Sequence, residues 1–275
     1  MIENDLRMGR PSLLARATAA LSVLVLAIII CSQRHVAADG FSDWEIQALY
    51  GAGFKEPGAA SDIQKGIITV QNASAWSWGS SYFFVDFLHS FVNDDGATEA
   101  YGEWYPSLSL SALSGQKISA GPINDVSLTL GVNAGHKSSN DANPFVVLPG
   151  FTTDIKIPGF NFFTLGTYAY MDRGEVGGQS NGCHATSYQV TPSWAVPFGS
   201  GNWKFSFEGF ADFIGEHAGC SFQVISQPQL RLDLGNFWNS PGWFFGGTEY
   251  QYWHNKYGIE GLDESFPQAL LLVKF

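Results

Sequence analysis

At 275 residues the chain has room for one large domain or two ordinary ones. Only 14% of its residues are charged while 15% are aromatic, and 31 are glycine. That mix suits a sheet with one face in lipid and one in water, not the Lys- and Glu-rich exterior of a soluble all-β protein. The formal net charge of −11 argues against nucleic acid as a partner, because phosphate backbones are bound by clustered Lys and Arg.

Arg7, Arg10 and Arg16 precede an apolar run, Ala17–Ile30, that is shorter than the ~20 residues of a membrane-spanning helix. Val36, Ala37 and Ala38 then fit a signal-peptidase site before Asp39. Residues 1–38 are therefore expected to be a cleaved signal peptide, starting at Met1 or Met8, with an uncleaved anchor as the alternative. Cys31 follows the large Ile30, which does not fit lipoprotein cleavage. The remaining residues, 39–275, are expected to form one outer-membrane β-barrel domain. They hold two cysteines, Cys183 and Cys220, which in an exported chain favour a disulfide over two free thiols.

No later stretch approaches the length of an apolar helix, so a membrane-bound form has to be a closed barrel. Alternating segments run through the mature chain: Trp44–Tyr50, Gly66–Asn72, Tyr82–His89, Tyr101–Ser111, Val126–Ala134, Phe145–Asp154, Phe160–Met171, Tyr188–Val196, Trp203–Phe213, Phe222–Leu234, Trp243–His254 and Ser265–Phe275. The clearest is Trp203–Phe213, with Trp203, Phe205, Phe207 and Phe213 on one face and Lys204, Ser206, Glu208 and Asp212 on the other. Side chains alternate because a strand has period two. Pro106, Pro192 and Pro228 each remove a ladder donor. The last segment reads QALLLVKF, with Ala269, Leu271, Val273 and Phe275 on one face. An apolar strand ending in an aromatic residue is what barrel-assembly machinery recognises.

The reading is thus an all-β, antiparallel transmembrane barrel of about twelve strands with both termini periplasmic. Loops after odd strands then face outward, at about 51–65, 90–100, 135–144, 172–187, 214–221 and 255–264. This places Cys183 and Cys220 in neighbouring loops on one side. The inward faces supply Phe84, Asp86, Glu103, Tyr105, Glu208, Phe210, Asp212, Gln229, Arg231, Glu249 and Gln251 as candidate substrate-lining residues. Aromatic faces stack on bases, and carboxylates and amides bond to sugar hydroxyls. Arg231 is expected to pair with Glu208, Asp212 or Glu249. Trp76, Trp78, Trp203, Trp238, Trp243 and Trp253 are expected in the interfacial girdles. Ala112–Asn124 is long for a periplasmic turn.

No catalytic residue, cofactor or metal is expected. The chain has neither a GxSxG elbow nor an HExxH motif. His184 and His217, in the two cysteine-bearing loops, are weak metal ligands on spacing alone.

The segments YGEWYPSLSLSALSG (Tyr101–Gly115), GPINDVSLTLG (Gly121–Gly131), PGFNFFTLGTYAY (Pro158–Tyr170) and YFFVDFLHS (Tyr82–Ser90), with the closing strand, resemble the nucleoside-specific channel family of outer-membrane proteins, the Tsx-like and OmpK group. The resemblance implies a monomeric twelve-stranded barrel with a narrow pore for nucleosides and deoxynucleosides. It also implies a surface that phages or colicins use as a receptor. The loop with Cys183 is where this chain is expected to depart from relatives. Three functions compete: a nucleoside channel, a narrow non-selective small-solute pore, and a surface receptor with an incidental pore. The expected partners are nucleosides as permeants, outer-membrane lipid and lipopolysaccharide, the assembly machinery through the Phe275 strand, and phage.

Overall fold

A segment in which apolar and polar residues alternate turns one face to lipid and the other to water once its backbone is paired on both sides. The computed structural model describes residues 40–275; the expected signal peptide lies outside the described residues. The strands are β1 (Phe41–Phe54), β2 (Ile63–Trp76), β3 (Gly79–Val92), β4 (Thr98–Ser109), β5 (Ile123–Lys137) and β6 (Phe145–Ile155). They continue as β7 (Phe162–Asp172), β8 (Thr186–Ser200), β9 (Trp203–Ile214), β10 (Gln223–Ser226 and Gln229–Asp233), β11 (Phe244–His254) and β12 (Glu264–Lys274). Each pairs antiparallel with its neighbour in sequence, and β1 pairs with β12 in the register Glu45↔Lys274 to Tyr50↔Ala269. The result is a closed antiparallel barrel of 12 strands.

The outward faces carry exposed apolar side chains, among them Tyr50, Phe87, Trp104, Leu130, Phe151, Tyr188 and Leu271. Closure leaves no unpaired edge, and the apolar exterior supplies the lipid-facing surface. The chain is an integral outer-membrane barrel. With an even strand number both ends of the barrel chain lie on one side, the periplasmic one in bacterial barrels. Loops 1 to 6 follow the odd strands at the opposite, outer end.

Most strands run further toward the outer end than the alternation indicates, so the loops other than loop 5 are shorter than expected. Loop 1 is 55–62 and loop 2 is 93–97. Loops 3 and 4 pair through the short ladders Ala142–Asn143, Glu175–Val176 and Gln179–Ser180. The fourth strand also ends early. Leu110 and Ser111, expected in it, begin a short helix, α1 (Leu110–Ser114), capped by the Ser109 side chain and stopped by Gly115 with φ 68°. This helix and an Ala120↔Ile123 bridge account for the long turn before β5. Such a capped turn shows no period-two signal.

Pro228 splits β10 as its missing donor requires. The Phe210 carbonyl opposite is met instead by the Ser226 hydroxyl at 2.7 Å. Gly209 allows this approach, because a Cβ there would lie 2.8 Å from the Pro228 Cα. Trp78, Trp203, Trp238 and Trp243 are exposed at the periplasmic end, as girdle residues are. Trp253 is a correction: its indole turns inward at the outer end, donating to Gln223 Oε1 at 3.2 Å beneath the Lys256 ammonium.

Candidate functional site: the lumen

The inward faces enclose a cavity of about 670 Å³. Of the sequence-expected residues, Phe84, Asp86, Glu103, Tyr105, Glu208, Phe210, Asp212, Gln229, Arg231 and Glu249 line it. Gln251 does not. It is buried nearer the outer end, accepting from Gln227 and donating to Glu264 at 3.0 Å.

Toward the periplasmic end the lumen is crossed by charge pairs. Arg231 on β10 bonds Glu45 at 3.1 Å and Glu208 at 2.9 Å. Lys274 on β12 pairs with Glu45 and, at 3.1 Å, with Asp43. Of the three acids expected to hold Arg231, Glu208 does so; its other acidic partner is Glu45, on a different strand from any of them, and its Nε donates to Gln229 at 2.7 Å. Asp212 is instead met by Thr191 at 2.5 Å, and Glu249 by amides. Gln229 donates to Gln47 at 3.0 Å and to Glu249 at 2.6 Å, so the polar wall continues along the barrel.

At mid-height four carboxylates have neutral partners. Asp86 accepts from Thr69 at 2.5 Å. Glu103 accepts from Tyr101 at 2.6 Å and Tyr105 at 2.9 Å. Asp212 accepts from Thr191, and Glu249 from Gln229 and, at 2.7 Å, from Gln268. Among the described residues no Lys or Arg pairs with any of the four. Each keeps lone pairs for water or a solute. The half-buried rings of Phe84, Tyr105 and Phe210 face the same space. Gly131 on β5 makes room for Tyr105, since a Cβ there would meet the Tyr105 ring at 2.5 Å.

Above the cavity the outer end is packed. One buried apolar cluster joins Phe54, Ile63, Ile67 and Leu270; a second joins Leu148, Tyr168, Tyr170 and Ile214. Loop 1 sends Glu56 inward to Lys65 of β2 at 3.0 Å, Lys137 of β5 at 2.9 Å and Lys256 of loop 6 at 3.6 Å. Burial alone would raise the Glu56 carboxyl, but Lys256 and Lys65, with the Lys137 hydrogen bond, outweigh it and hold it at about 2. Cys183 of loop 4 and Cys220 of loop 5 are joined by a disulfide, with Cα atoms 5.5 Å apart. His217 faces Asp172 at 3.8 Å, its Nε2 without a hydrogen bond. The facing Asp172 carboxylate, with the Gly215 carbonyl 2.8 Å from Nδ1, raises its pKa against the opposing effect of burial. His184 instead lies with Nε2 2.7 Å from the Gly174 carbonyl oxygen. The metal-like trio is Asp172, Cys183 and His217, and the disulfide takes its sulfur out of use as a thiolate ligand.

Glu45, Gln47 and Lys274 also line the cavity, beyond the expected lumen set, although the period-two signal holds there. Asp43, Glu45 and Gln47 alternate with Trp44, Ile46 and Ala48. Glu56 and Lys256 lie in loops, where no periodicity marks which side chain turns inward.

No protein-family model matches the chain, and no curated protein does. Among solved structures it is similar to a KdgM porin, with 9% identity and a TM-score of 0.45 over 85% of this chain and 99% of that one. It is also similar to the translocator domain of the autotransporter NalP from Neisseria meningitidis, with 12% identity and a TM-score of 0.43 over 94% and 96%. A bacterial polysaccharide outer membrane secretin follows, with 8% identity and a TM-score of 0.41 over 86% and 98%. Such values add nothing to the strand pairing, which closes the barrel by itself.

Proposed function

We propose that the barrel is an outer-membrane channel for small solutes, and that nucleosides and deoxynucleosides are the solutes its lumen suits best. The observation that carries this reading is the mid-height cavity, where aromatic faces stand beside carboxylates that no cation neutralises. A nucleoside offers a flat base and a sugar with hydroxyls. Stacking on a ring is worth about 1–3 kcal/mol per base, and the free carboxylate lone pairs accept from the sugar. A phosphate entering this space would be stripped of water with no cation beside these carboxyls to receive it, so nucleosides pass in preference to nucleotides. The barrel acts as a monomer, with lipid and lipopolysaccharide on its outer belt. Its Phe275 strand is the segment handed to the assembly machinery.

The test is a titration of adenosine and thymidine against current through the reconstituted barrel in planar bilayers. Saturable block by nucleosides, absent with simple sugars and weaker with the nucleoside monophosphate, is the expected result. Current that ignores nucleosides would leave a non-selective pore. The packed outer end favours one other reading, a surface receptor for phage whose pore is incidental; loop variants that resist phage while taking up nucleosides normally would favour it.

A further inference from the structure

Between Phe54 and Ile63, Glu56 is the one buried side chain; Lys55 and residues 57–62 are exposed. Its carboxylate is shared by ammonium groups from three elements, all 2–3% exposed. The sharing is redundant. Lys65 also pairs with Glu99 at 3.3 Å, Lys137 with Asp94 at 3.1 Å and Lys256 with Glu264 at 2.6 Å. Taking one member from a buried ion pair is costly when it leaves the other charge uncompensated. Here withdrawal of Glu56 strands no lysine, and Glu56 itself passes into water.

Tyr257 of loop 6 adds a second sign of a poised element. It sits in the left-handed region at φ 60°, ψ 20°, which bulky residues rarely adopt, and there its hydroxyl reaches both Glu56 oxygens at 3.4 Å. The surrounding frame is fixed. The disulfide ties loop 4 to loop 5, and loop 6 bonds to loop 5 through Ser221 N–H and the Gly258 carbonyl at 2.9 Å. Loop 1 is held to this frame by the Glu56 contacts and by two bonds at Lys55, whose N–H donates to Glu264 at 2.7 Å and whose carbonyl accepts from Lys256 at 2.8 Å.

We propose that Glu56 is the latch of an outer gate: with its carboxylate among Lys65, Lys137 and Lys256 the mouth is shut, and with loop 1 swung into solvent the cavity opens to the outside. This rests on the channel reading, and the experiment separates the two. Single-channel records of the wild type are compared with Glu56→Gln and with Tyr257→Phe, which keeps every charge. Folding of each is checked by heat-dependent electrophoretic mobility. The wild type is expected to dwell mainly closed. Glu56→Gln raises the open fraction at least about tenfold at unchanged open-state conductance, because a neutral amide loses the attraction of the three ammonium groups that draws loop 1 inward, while each lysine keeps its second carboxylate. Tyr257→Phe gives a smaller rise, and carries the test alone should Glu56→Gln not fold. Equal open fractions in all folded forms would overturn the gate and leave the channel standing. Silence in every form would overturn both.

Discussion

Arg231 of β10 bonds Glu45 of β1 at 3.1 Å although β11 and β12 separate their backbones. The pair lies against the inner wall and ties together strands that share no ladder. Both side chains are buried, so Arg231→Met leaves Glu45 with Lys274 and Glu208 with no cation. We expect a loss of about 3 kcal/mol in stability, in the range found when one member of a buried pair is removed, read from the urea midpoint. The same variant should widen the passage and raise conductance.

Phe84 and Phe210 are the two half-buried phenyl faces on the cavity wall. Replacing either by Ala should weaken adenosine block by about tenfold, in line with about 1–3 kcal/mol per stacked base. Conductance without nucleoside should fall little or rise. An unchanged blocking constant in both variants would remove stacking from the account.

The four carboxyls have no cationic partner among the described residues, and a passing cation stabilises their ionised form where an anion does not, so the pore should prefer cations. In a potassium chloride gradient the reversal potential of the wild type is expected on the cation side. Paired Glu103→Gln and Asp212→Asn should move it toward zero, and should lessen discrimination against the monophosphate.

The Glu56 latch also sets an acid limit. Its carboxyl is held at about 2 against an ordinary value of 4.5. A depressed carboxyl contributes stability that is complete above its unfolded value and is lost as pH falls from about 4.5 toward 2. At about 1.4 kcal/mol per unit the contribution is about 3 kcal/mol. The thermal midpoint should therefore drop on going from pH 6 to pH 2.5, and less so in Glu56→Gln, which has no such proton to take up.

Much of this architecture is legible from alternation alone. Segments such as Trp203–Phe213 and Val126–Ala134 show their two faces directly, and strand order follows from chain order in an up-and-down barrel. The same period puts Glu208, Phe210 and Asp212 on one wall. What alternation does not reach is what lies between strands far apart in sequence. Glu45 and Arg231 are 186 residues apart, and nothing local marks them as partners. The Glu56 cluster is less visible still, because three lysines from β2, β5 and loop 6 meet a loop carboxylate whose inward turn depends on the finished mouth. Trp253 misled for a related reason: its indole is of girdle type, yet its place in the alternation points it inward, toward Gln223.

The seam between β1 and β12 bears on how the molecule comes to exist. Those strands hold the two ends of the sheet, so ten other strands have to be in line before Glu45 can meet Lys274. Until then the growing sheet carries two bare margins, each able to seize a stranger's backbone. A copy halted before Glu264 could never complete the ring. It would remain an open ribbon, hazardous to its neighbours in the periplasm. The last eleven-residue strand is therefore what makes a folded copy safe.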